Sequence, residues 1–311
     1  MDYFCKKEDF EGKMRHIFVL NEKAGGHLSQ EKLKEELTKI NDTDFTYEIV
    51  CTEYANHATK IVQEYIEKYG KDEVLRFYAC GGDGTINEVA SKLVNVENAQ
   101  LAVIPCGSGN DFVKYFGSEK FSNIKNIIDG EIMPIDILKI GDKYAINVCN
   151  FGFDAVVGKT ANEVKEKGGK DPYGTGIKKA IFTGMRHKLT VEVDGKIING
   201  KKNMLLCTLA NGHYVGGKYK CAPRSIIDDG LIDVCLVDTI SIFTFLKLLK
   251  PYMAGRHLDL GKKYIHYAQG KQIKLSAKKD FDICLDGEIV TGNSFIVDIL
   301  HKAINFVVPL D

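Results

Sequence analysis

Apolar positions along this chain fall into two regimes. Up to about residue 130, short apolar runs alternate with stretches of helical periodicity; beyond it, strand-like runs dominate. The clearest unit is Val74–Ala90. Val74 to Cys80 is a continuous apolar and aromatic run, as a buried strand would be, and it stops at Gly81-Gly82-Asp83-Gly84-Thr85. Ile86, Val89, Ala90 and Leu93 then recur at helical spacing, with Asn87 and Glu88 on the other face. Arg15–Leu20 repeats the theme and ends at Asn21-Glu22-Lys23-Ala24-Gly25-Gly26; Ser29 is placed to cap a helix that buries Leu33 and Leu37. Phe45–Cys51 alternates as a strand and is followed by Thr52, Ala55–Tyr69 reads as a helix, and Leu101–Ile104 is a buried run stopped by Pro105. Strands alternating with helices imply parallel βαβ units, whose ligands gather at the carboxyl ends of the strands. Asn21–Gly26, Thr52, Gly81–Thr85 and the Pro105 loop all sit at such ends, so four candidate contacts converge on one edge.

After Ile124–Ile128 the texture changes. Ile135–Leu138, Tyr144–Phe153, Leu189–Val193, Ile197–Ile198, Leu205–Leu209, Leu231–Val237, Ile273–Leu275, Phe281–Leu285 and Phe295–Ile299 read as strands, and Asp194-Gly195 is a hairpin signal. Helices are expected at Ala155–Glu166, Ile177–Arg186 and Ser241–Lys250, and a mobile loop at Glu166–Gly176. The expected fold class is α/β in two domains: residues 1–132 an α/β unit of parallel strands, residues 133–299 mostly antiparallel β, with the boundary near Asp129–Pro134.

Composition narrows the classes. The chain has 311 residues, 44% of them apolar and 27% charged, enough for real cores. Lysine plus arginine equals aspartate plus glutamate at 42 each, so no global basic field draws it to nucleic acid. Nine cysteines are scattered without Cys-x-x-Cys spacing, which indicates neither a zinc site nor a disulfide framework and suits a reducing cytosol. Met1–Lys13 lacks the apolar core of a signal peptide, and no apolar run is long enough to span a bilayer. The expected location is cytoplasmic, with any membrane reached from the side, at its inner face.

The chemistry lies in the loops. A strand, a glycine turn and a helix N-terminus in that order make a place for phosphate, since glycines allow close backbone approach and the helix start offers unpaired N–H groups. Asp83 within the turn fits if a cation such as Mg²⁺ sits between it and the phosphate. The pattern is neither a Walker loop nor a dinucleotide fingerprint. Pro105-Cys106-Gly107-Ser108-Gly109-Asn110-Asp111-Phe112 suits either phosphate contact or a helix start capped by Asn110 or Asp111. Ile226-Ile227-Asp228-Asp229-Gly230-Leu231 and Leu285-Asp286-Gly287-Glu288 read, each alone, as hairpin turns. Ser241–Arg256, with Lys247, Lys250 and Arg256, reads as a helix buried in the protein, or as one that dips into an anionic bilayer. Tyr173, Tyr214 and Tyr219 read as surface packing before the lining of an acyl groove, and His57, His213 and His257 receive no ligand role.

Taken together, the Gly-Gly-Asp-Gly-Thr turn with Asn87-Glu88, Gly107-Ser108-Gly109-Asn110-Asp111, Asp228-Asp229-Gly230 and Leu285–Glu288 resemble the diacylglycerol kinase catalytic family, in its bacterial soluble lipid-kinase branch. The motifs run in family order from Asn21 to Glu288; singly, Gly-Gly-Asp-Gly is also similar to NAD kinases and phosphofructokinases. The resemblance implies a nucleotide-binding α/β domain and a β-sandwich domain with the active site in the cleft between them, and the last residues, about 300–311, returning to the first domain. It implies ATP contacts from Asn21, Glu22, Lys23, Ala24 and Gly25, from Thr52, from Gly82, Asp83, Gly84, Thr85, Ile86, Asn87 and Glu88, and from Ser108. It implies Glu288 as the general base, and Asp83, Asp111 and Asp136 as acids near a catalytic Mg²⁺. The carbonyls of Ile226 and Leu231 with the Asp229 side chain would hold a structural Mg²⁺. Where the family usually has Asn-Pro in the first loop, this chain has Asn21-Glu22, and Ser108 stands where Thr is common. The expected activity is transfer of the γ-phosphoryl of ATP to a lipid hydroxyl at a membrane surface, diacylglycerol first among acceptors. The alternatives are a sphingoid base, another lipid alcohol or a soluble metabolite as acceptor, or a lipid- or nucleotide-binding protein without turnover. A homodimer is expected only as the commonest state of soluble enzymes.

Overall fold

The run Met14–Leu20 forms β1 in the computed structural model, which describes residues 14–25, 28–40, 45–200, 203–261 and 263–311. Gly26, the end of the first glycine loop, lies outside the described residues. The first domain continues with α1 (Gln30–Thr38), β2 (Tyr47–Cys51), α2 (His57–Tyr69), β3 (Val74–Gly81), α3 (Asp83–Leu93), β4 (Ala99–Pro105) and α4 (Ile124–Ile128). Ser29 caps α1 by accepting from Lys32 N, and Leu33 and Leu37 are buried beneath it. The strands lie parallel in the order β2-β1-β3-β4, with Leu20 level with both Cys51 and Cys80, and Gly81 level with Pro105. That register brings all four strand ends to one height. The loops leaving them therefore share one edge.

The second domain is built from β5 (Glu131–Ile140), β6 (Lys143–Ala145), β7 (Val148–Gly152), α5 (Phe153–Glu166), α6 (Pro172–Thr183), β8 (Thr190–Val193), β9 (Lys196–Ile197), β10 (Met204–Ala210), β11 (Ile232–Asp238), α7 (Ile242–Met253), α8 (His257–Leu260), β12 (Ile265–Gly270), β13 (Gln272–Leu285) and β14 (Glu288–Val308). Its strand pairs are antiparallel: β12-β11-β10-β7-β13-β14, with β8 on β13 and β5 on β14. Asp194 and Gly195 both take positive φ, 45° and 82°, the geometry that a tight β8–β9 hairpin needs. A separate apolar cluster, including Phe153, Leu205 and Phe245, fills the space between the sheet and α5, α6 and α7.

Several expected boundaries change. Ile273–Leu275 and Phe281–Leu285 are one strand, β13, whose register shifts between Ser276 and Phe281, because polar Lys278-Lys279-Asp280 bridges the shift without leaving the sheet. Tyr144–Phe153 is not one strand: β6 and β7 break at Ile146–Asn147, and Phe153 opens α5. The expected mobile loop shrinks to 167–171, since Asp171 caps α6 by accepting from Gly174 N and Pro172 favours a first helical turn. Gly81 belongs to β3 and Asp83 already to α3, so the glycine turn is shorter than its glycine count suggests. The acidic stretch 226–231 is no hairpin, because β10 and β11 pair across a long connection that contains it. After Pro105 only a short 3-10 turn follows the loop, Val113–Tyr115, and its N-cap is Phe112 and not Asn110 or Asp111; Asn110 closes the 107–110 turn on itself by accepting from Gly107 N and donating to Gly107 O.

β14 joins the two halves. Its first part pairs with β13; its last part pairs antiparallel with β5 and parallel with β4 through Asn305 and Phe306. Between Leu300 and Ile304 the β5–β14 register shifts, and Lys302 takes positive φ. Fully buried Asp136 answers the amides freed there: one oxygen accepts from Lys302 N (2.6 Å) and His301 Nδ1 (2.9 Å), the other from Gly230 N (2.7 Å). Asp136→Ala is expected to destabilise the protein by about 3 kcal/mol, because buried donors lose a charged acceptor. A urea midpoint unchanged from wild type would show that the bulge does not depend on it.

Candidate active site

The four strand ends are tied to one another by backbone. Asn21 N donates to Cys80 O (2.9 Å), Thr52 N to Leu20 O (2.8 Å) and Cys106 N to Gly81 O (2.8 Å). The loops approach so closely that side chains are excluded. At Gly25, where φ is +74°, an added Cβ would stand 1.9 Å from Cys106 O, and at Gly107 one would stand 2.5 Å from Gly82 Cα. α3 begins at a glycine N-cap with no capping side chain, which leaves its first-turn N–H groups open to an anion.

The carboxylate of Asp83 sits at this helix start. Its Oδ1 accepts from Asp111 N (2.6 Å) and Phe112 N (3.2 Å), and so shapes the loop after β4. An added Cβ on Gly109 would lie 2.9 Å from Asp83 Oδ2 and 3.7 Å from Asp111 Oδ2, so both carboxylates face the same small space. Burial, then the neighbouring Asp111 charge, push the Asp83 carboxyl above its ordinary range. Asp111 also accepts from Gly217 N (3.0 Å) and from Lys114 Nζ (2.8 Å), and Lys114 Nζ donates to Gly109 O and Gly217 O, both at 2.6 Å. Lys114 thus fastens the loop after β4 to the second domain.

The other residues named from sequence fall into separate groups. Asn21 Nδ2 donates to Thr85 Oγ1 (3.1 Å), Lys23 Nζ reaches Glu53 O (3.1 Å), and Ser108 is exposed on the edge. Ala24 N closes the first loop on Asn21 O, and Gly84 is open, with nothing near an added Cβ. Glu22 accepts from Gln30 N (2.9 Å), so the residue that replaces the usual proline pins the loop to α1. Three of the expected nucleotide contacts are engaged elsewhere. Ile86 is fully buried; Asn87 bridges to Tyr144 O and Ile146 N; and Glu88 caps α2 by accepting from Asn56 N and Ala58 N. Asp136 belongs to the bulge and does not join Asp83 and Asp111 around the cavity described below. Ile226 is exposed, Asp229 accepts from Leu231 N (3.0 Å), and burial, with Asp136 and Asp228 nearby, raises the Asp229 carboxyl. Among the described residues no three His, Cys, Asp or Glu side chains are grouped to hold a metal ion.

From the second domain comes the turn Asp286-Gly287. Asp286 accepts from Asn147 N (3.0 Å) and Val148 N (2.8 Å), which locks the β13–β14 hairpin to the break between β6 and β7. Desolvation carries its carboxyl up to about 7 against those two amides, with the Asp83 charge adding to the rise. Glu288, the first residue of β14, pairs with Lys143 and is half exposed.

Asp83, Asp111 and Asp286 open onto a cavity of about 660 Å³ between the domains. Beyond this acidic end its walls are mostly hydrocarbon, with Val157 of α5, Ile177 of α6, Leu205 and Leu206 of β10, and Phe245 and Leu249 of α7, interrupted by polar groups that include Asp154 and Asp171. Tyr173 and Tyr219 line it, the second of the two sequence readings for them, as does His257; Tyr214 does not. Sequence reading missed Lys114, Asp154, Asp286 as the inward carboxylate, and the Gly216-Gly217 turn. The last had a signal, a glycine pair between aromatic residues, and both glycines do take positive φ.

An amide-rich glycine edge with paired acids, facing a β domain across a cleft, is an arrangement suited to phosphoryl transfer. Residues 15–140 match the model of the diacylglycerol kinase catalytic domain, and 147–308 that of the YegS C-terminal NAD kinase beta sandwich-like domain. The chain belongs to the diacylglycerol kinase/YegS family of lipid kinases. It is 27% identical over 282 residues to a diacylglycerol kinase of Bacillus subtilis, covering 88% of this chain and 89% of that one. To the lipid kinase YegS of Escherichia coli K12 it is 26% identical, over 95% of this chain and 96% of the other. A diacylglycerol kinase structure from Bacillus anthracis superposes with a TM-score of 0.69 at 22% identity, covering 96% and 98% of the two chains. Yeast NADH kinase gives 0.51 at 10%, covering 97% and 85%. These two likenesses concern the fold.

Proposed function

We propose that this protein transfers the γ-phosphoryl group of ATP to the hydroxyl of a lipid, with diacylglycerol the first acceptor to test. The observation that carries the reading is one cavity with an acidic, amide-lined end and a mostly hydrocarbon body. A hydroxyl attached to acyl chains matches both ends, and a polar metabolite matches only one. ATP would lie along Asn21–Gly25, Thr52, Gly82–Thr85 and Ser108, its phosphates on the first turn of α3. Asp83 and Asp111 fit Mg²⁺, which is commonly held by one or two carboxylates plus phosphate oxygens and water. When bound, Mg²⁺ would neutralise phosphate charge. Ile226, Leu231 and Asp229 remain the proposed structural Mg²⁺ ligands, favoured by the like charges gathered there.

The residues of this chain then do three things. The open amides of α3 and the Lys114 ammonium stabilise and position the transferring group's surroundings. The cavity walls hold the acyl chains and exclude water. Glu288 is the proposed base for the acceptor proton; to reach it the side chain leaves Lys143, an exchange that Asp286 permits by holding the turn's backbone fixed. ATP consumption that depends on added lipid micelles supports this account; consumption stimulated equally by a soluble alcohol, and not by lipid, overturns it.

Among the described residues no helix is long and apolar enough to cross a membrane; in this reading lipid is collected from the side of the bilayer. α7 suits that task. Contrary to a buried-helix reading, Ile242, Phe243 and Leu246 are exposed, Phe243 at 76%, while Phe245 and Leu249 face the cavity from the same helix. Lys247 and Lys250 lie on it as well, and an anionic bilayer surface is the proposed partner. Lys247→Glu with Lys250→Glu is expected to weaken binding to vesicles rich in anionic lipid at least about thirtyfold, since each lysine near such a surface is worth about 1 kcal/mol and both are lost. Undiminished sedimentation with vesicles would remove α7 from this role.

A further inference from the structure

The cavity contains a carboxyl that phosphoryl transfer does not use. Asp154 stands in the first turn of α5, on a wall otherwise formed by Phe153, Val157 and Phe245. Among the described residues no cation pairs with it, and Oδ2 is closed off from solvent without a hydrogen-bond partner. The Tyr252 hydroxyl of α7, also on the wall, approaches closely enough to pull the Asp154 pKa down but lacks hydrogen-bonding geometry, and it too has no partner. Burial still carries the Asp154 carboxyl up to about 6, so it is mostly ionised at neutral pH. A carboxylate left unpaired in an apolar pocket is costly, and such groups in native proteins have partners in the functional state. The subsite wall adjoins the strand that carries the reaction end: an added Cβ on Gly158, one helical turn along α5 from Asp154, would stand 3.1 Å from Cys284 Sγ, and Cys284 lies two residues before Asp286.

We propose that Asp154, with Tyr252, forms a polar subsite that takes a second hydrogen-bond donor of the lipid acceptor, a hydroxyl or an ammonium a few bonds from the phosphorylated oxygen. The inference rests on the lipid-kinase reading and sharpens it. Diacylglycerol carries ester acceptors but no donor beyond its reacting hydroxyl, and leaves Asp154 unanswered. A monoacylglycerol offers one further hydroxyl, and a long-chain 2-amino-1-alkanol offers an ammonium, the better match for a carboxylate. Asp154 would then act as a specificity residue, distinct from the acids at the phosphate end.

The test compares dioleoylglycerol, monooleoylglycerol and a C18 2-amino-1-alkanol, in mixed micelles with ATP and Mg²⁺, for wild type and the isosteric Asp154→Asn. Wild type is expected to prefer the amino alcohol over dioleoylglycerol in kcat/KM by about tenfold, roughly the worth of one charge-assisted hydrogen bond, with monooleoylglycerol between. In Asp154→Asn that ratio should fall at least tenfold. Displacement of a fluorescent fatty-acid probe from the cavity by the same lipids should give the same ranking without turnover. Equal ranking of the three lipids by wild type overturns the proposal, even if the variant does not fold. So does an equal loss on all three in Asp154→Asn, which marks a merely structural carboxyl. If no lipid accepts phosphate, the lipid-kinase reading falls, and probe displacement still decides the subsite.

Discussion

Asp83→Asn is expected to lower turnover by about 10³-fold while leaving the protein folded. The structural half of that expectation follows from the hydrogen bonds. Asparagine keeps an oxygen for Asp111 N and Phe112 N, which Asp83 now holds at 2.6 and 3.2 Å, so the loop after β4 retains its anchor. The catalytic half follows from charge. Asp83 and Asp111 turn their Oδ2 atoms toward the same space beside Gly109, and removing one carboxylate halves what they offer a cation there. Circular dichroism melting should show a midpoint within a few degrees of wild type, and a steady-state assay the loss in kcat. Turnover within tenfold of wild type would mean that Asp83 serves only the loop.

The second large effect is expected at Glu288. Glu288→Gln should reduce kcat by roughly 10² to 10⁴, the usual contribution of a positioned general base, with ATP affinity kept because the nucleotide edge belongs to the other domain. The ion pair with Lys143 adds a control: Lys143→Met frees the carboxylate and should leave ATP binding unchanged. Calorimetric titration of ATP beside turnover separates the two quantities. Retained turnover in Glu288→Gln would pass the base role to Asp286, whose carboxyl, carried up to about 7, faces the cavity directly.

Local chemistry made much of this molecule legible in its sequence, and long-range pairing hid the rest. Val74–Cys80 and Arg15–Leu20 announced buried parallel strands because both faces of such strands are covered, and Ser29 announced a helix start because its hydroxyl has an open amide to accept from. The convergence of four loops on one edge followed from the βαβ order alone. The continuity of β13 was not readable: Lys278, Lys279 and Asp280 look like a loop until β14 provides the partner across the register shift. β14 itself was legible only at Phe295–Ile299, because Glu288–Ser294 is largely exposed and the apolar residues from Leu300 on pack into the core of the first domain. Site residues divide the same way. Asp83 stood out within its glycine turn, whereas Asp154 is one acid in an ordinary amphipathic helix until α7 and β10 close the cavity around it. Glu88 shows the converse. Its position in a motif pointed to nucleotide, and its side chain caps α2.

Transfer of labelled γ-phosphate from ATP and Mg²⁺ to lipids in detergent micelles, with Glu288→Ala run beside wild type, tests the central claim most directly. The account predicts label in a lipid product, with diacylglycerol accepting and the long-chain amino alcohol accepting more, and none from the variant. Label reaching only soluble acceptors, or equal lipid labelling by wild type and variant, would contradict it.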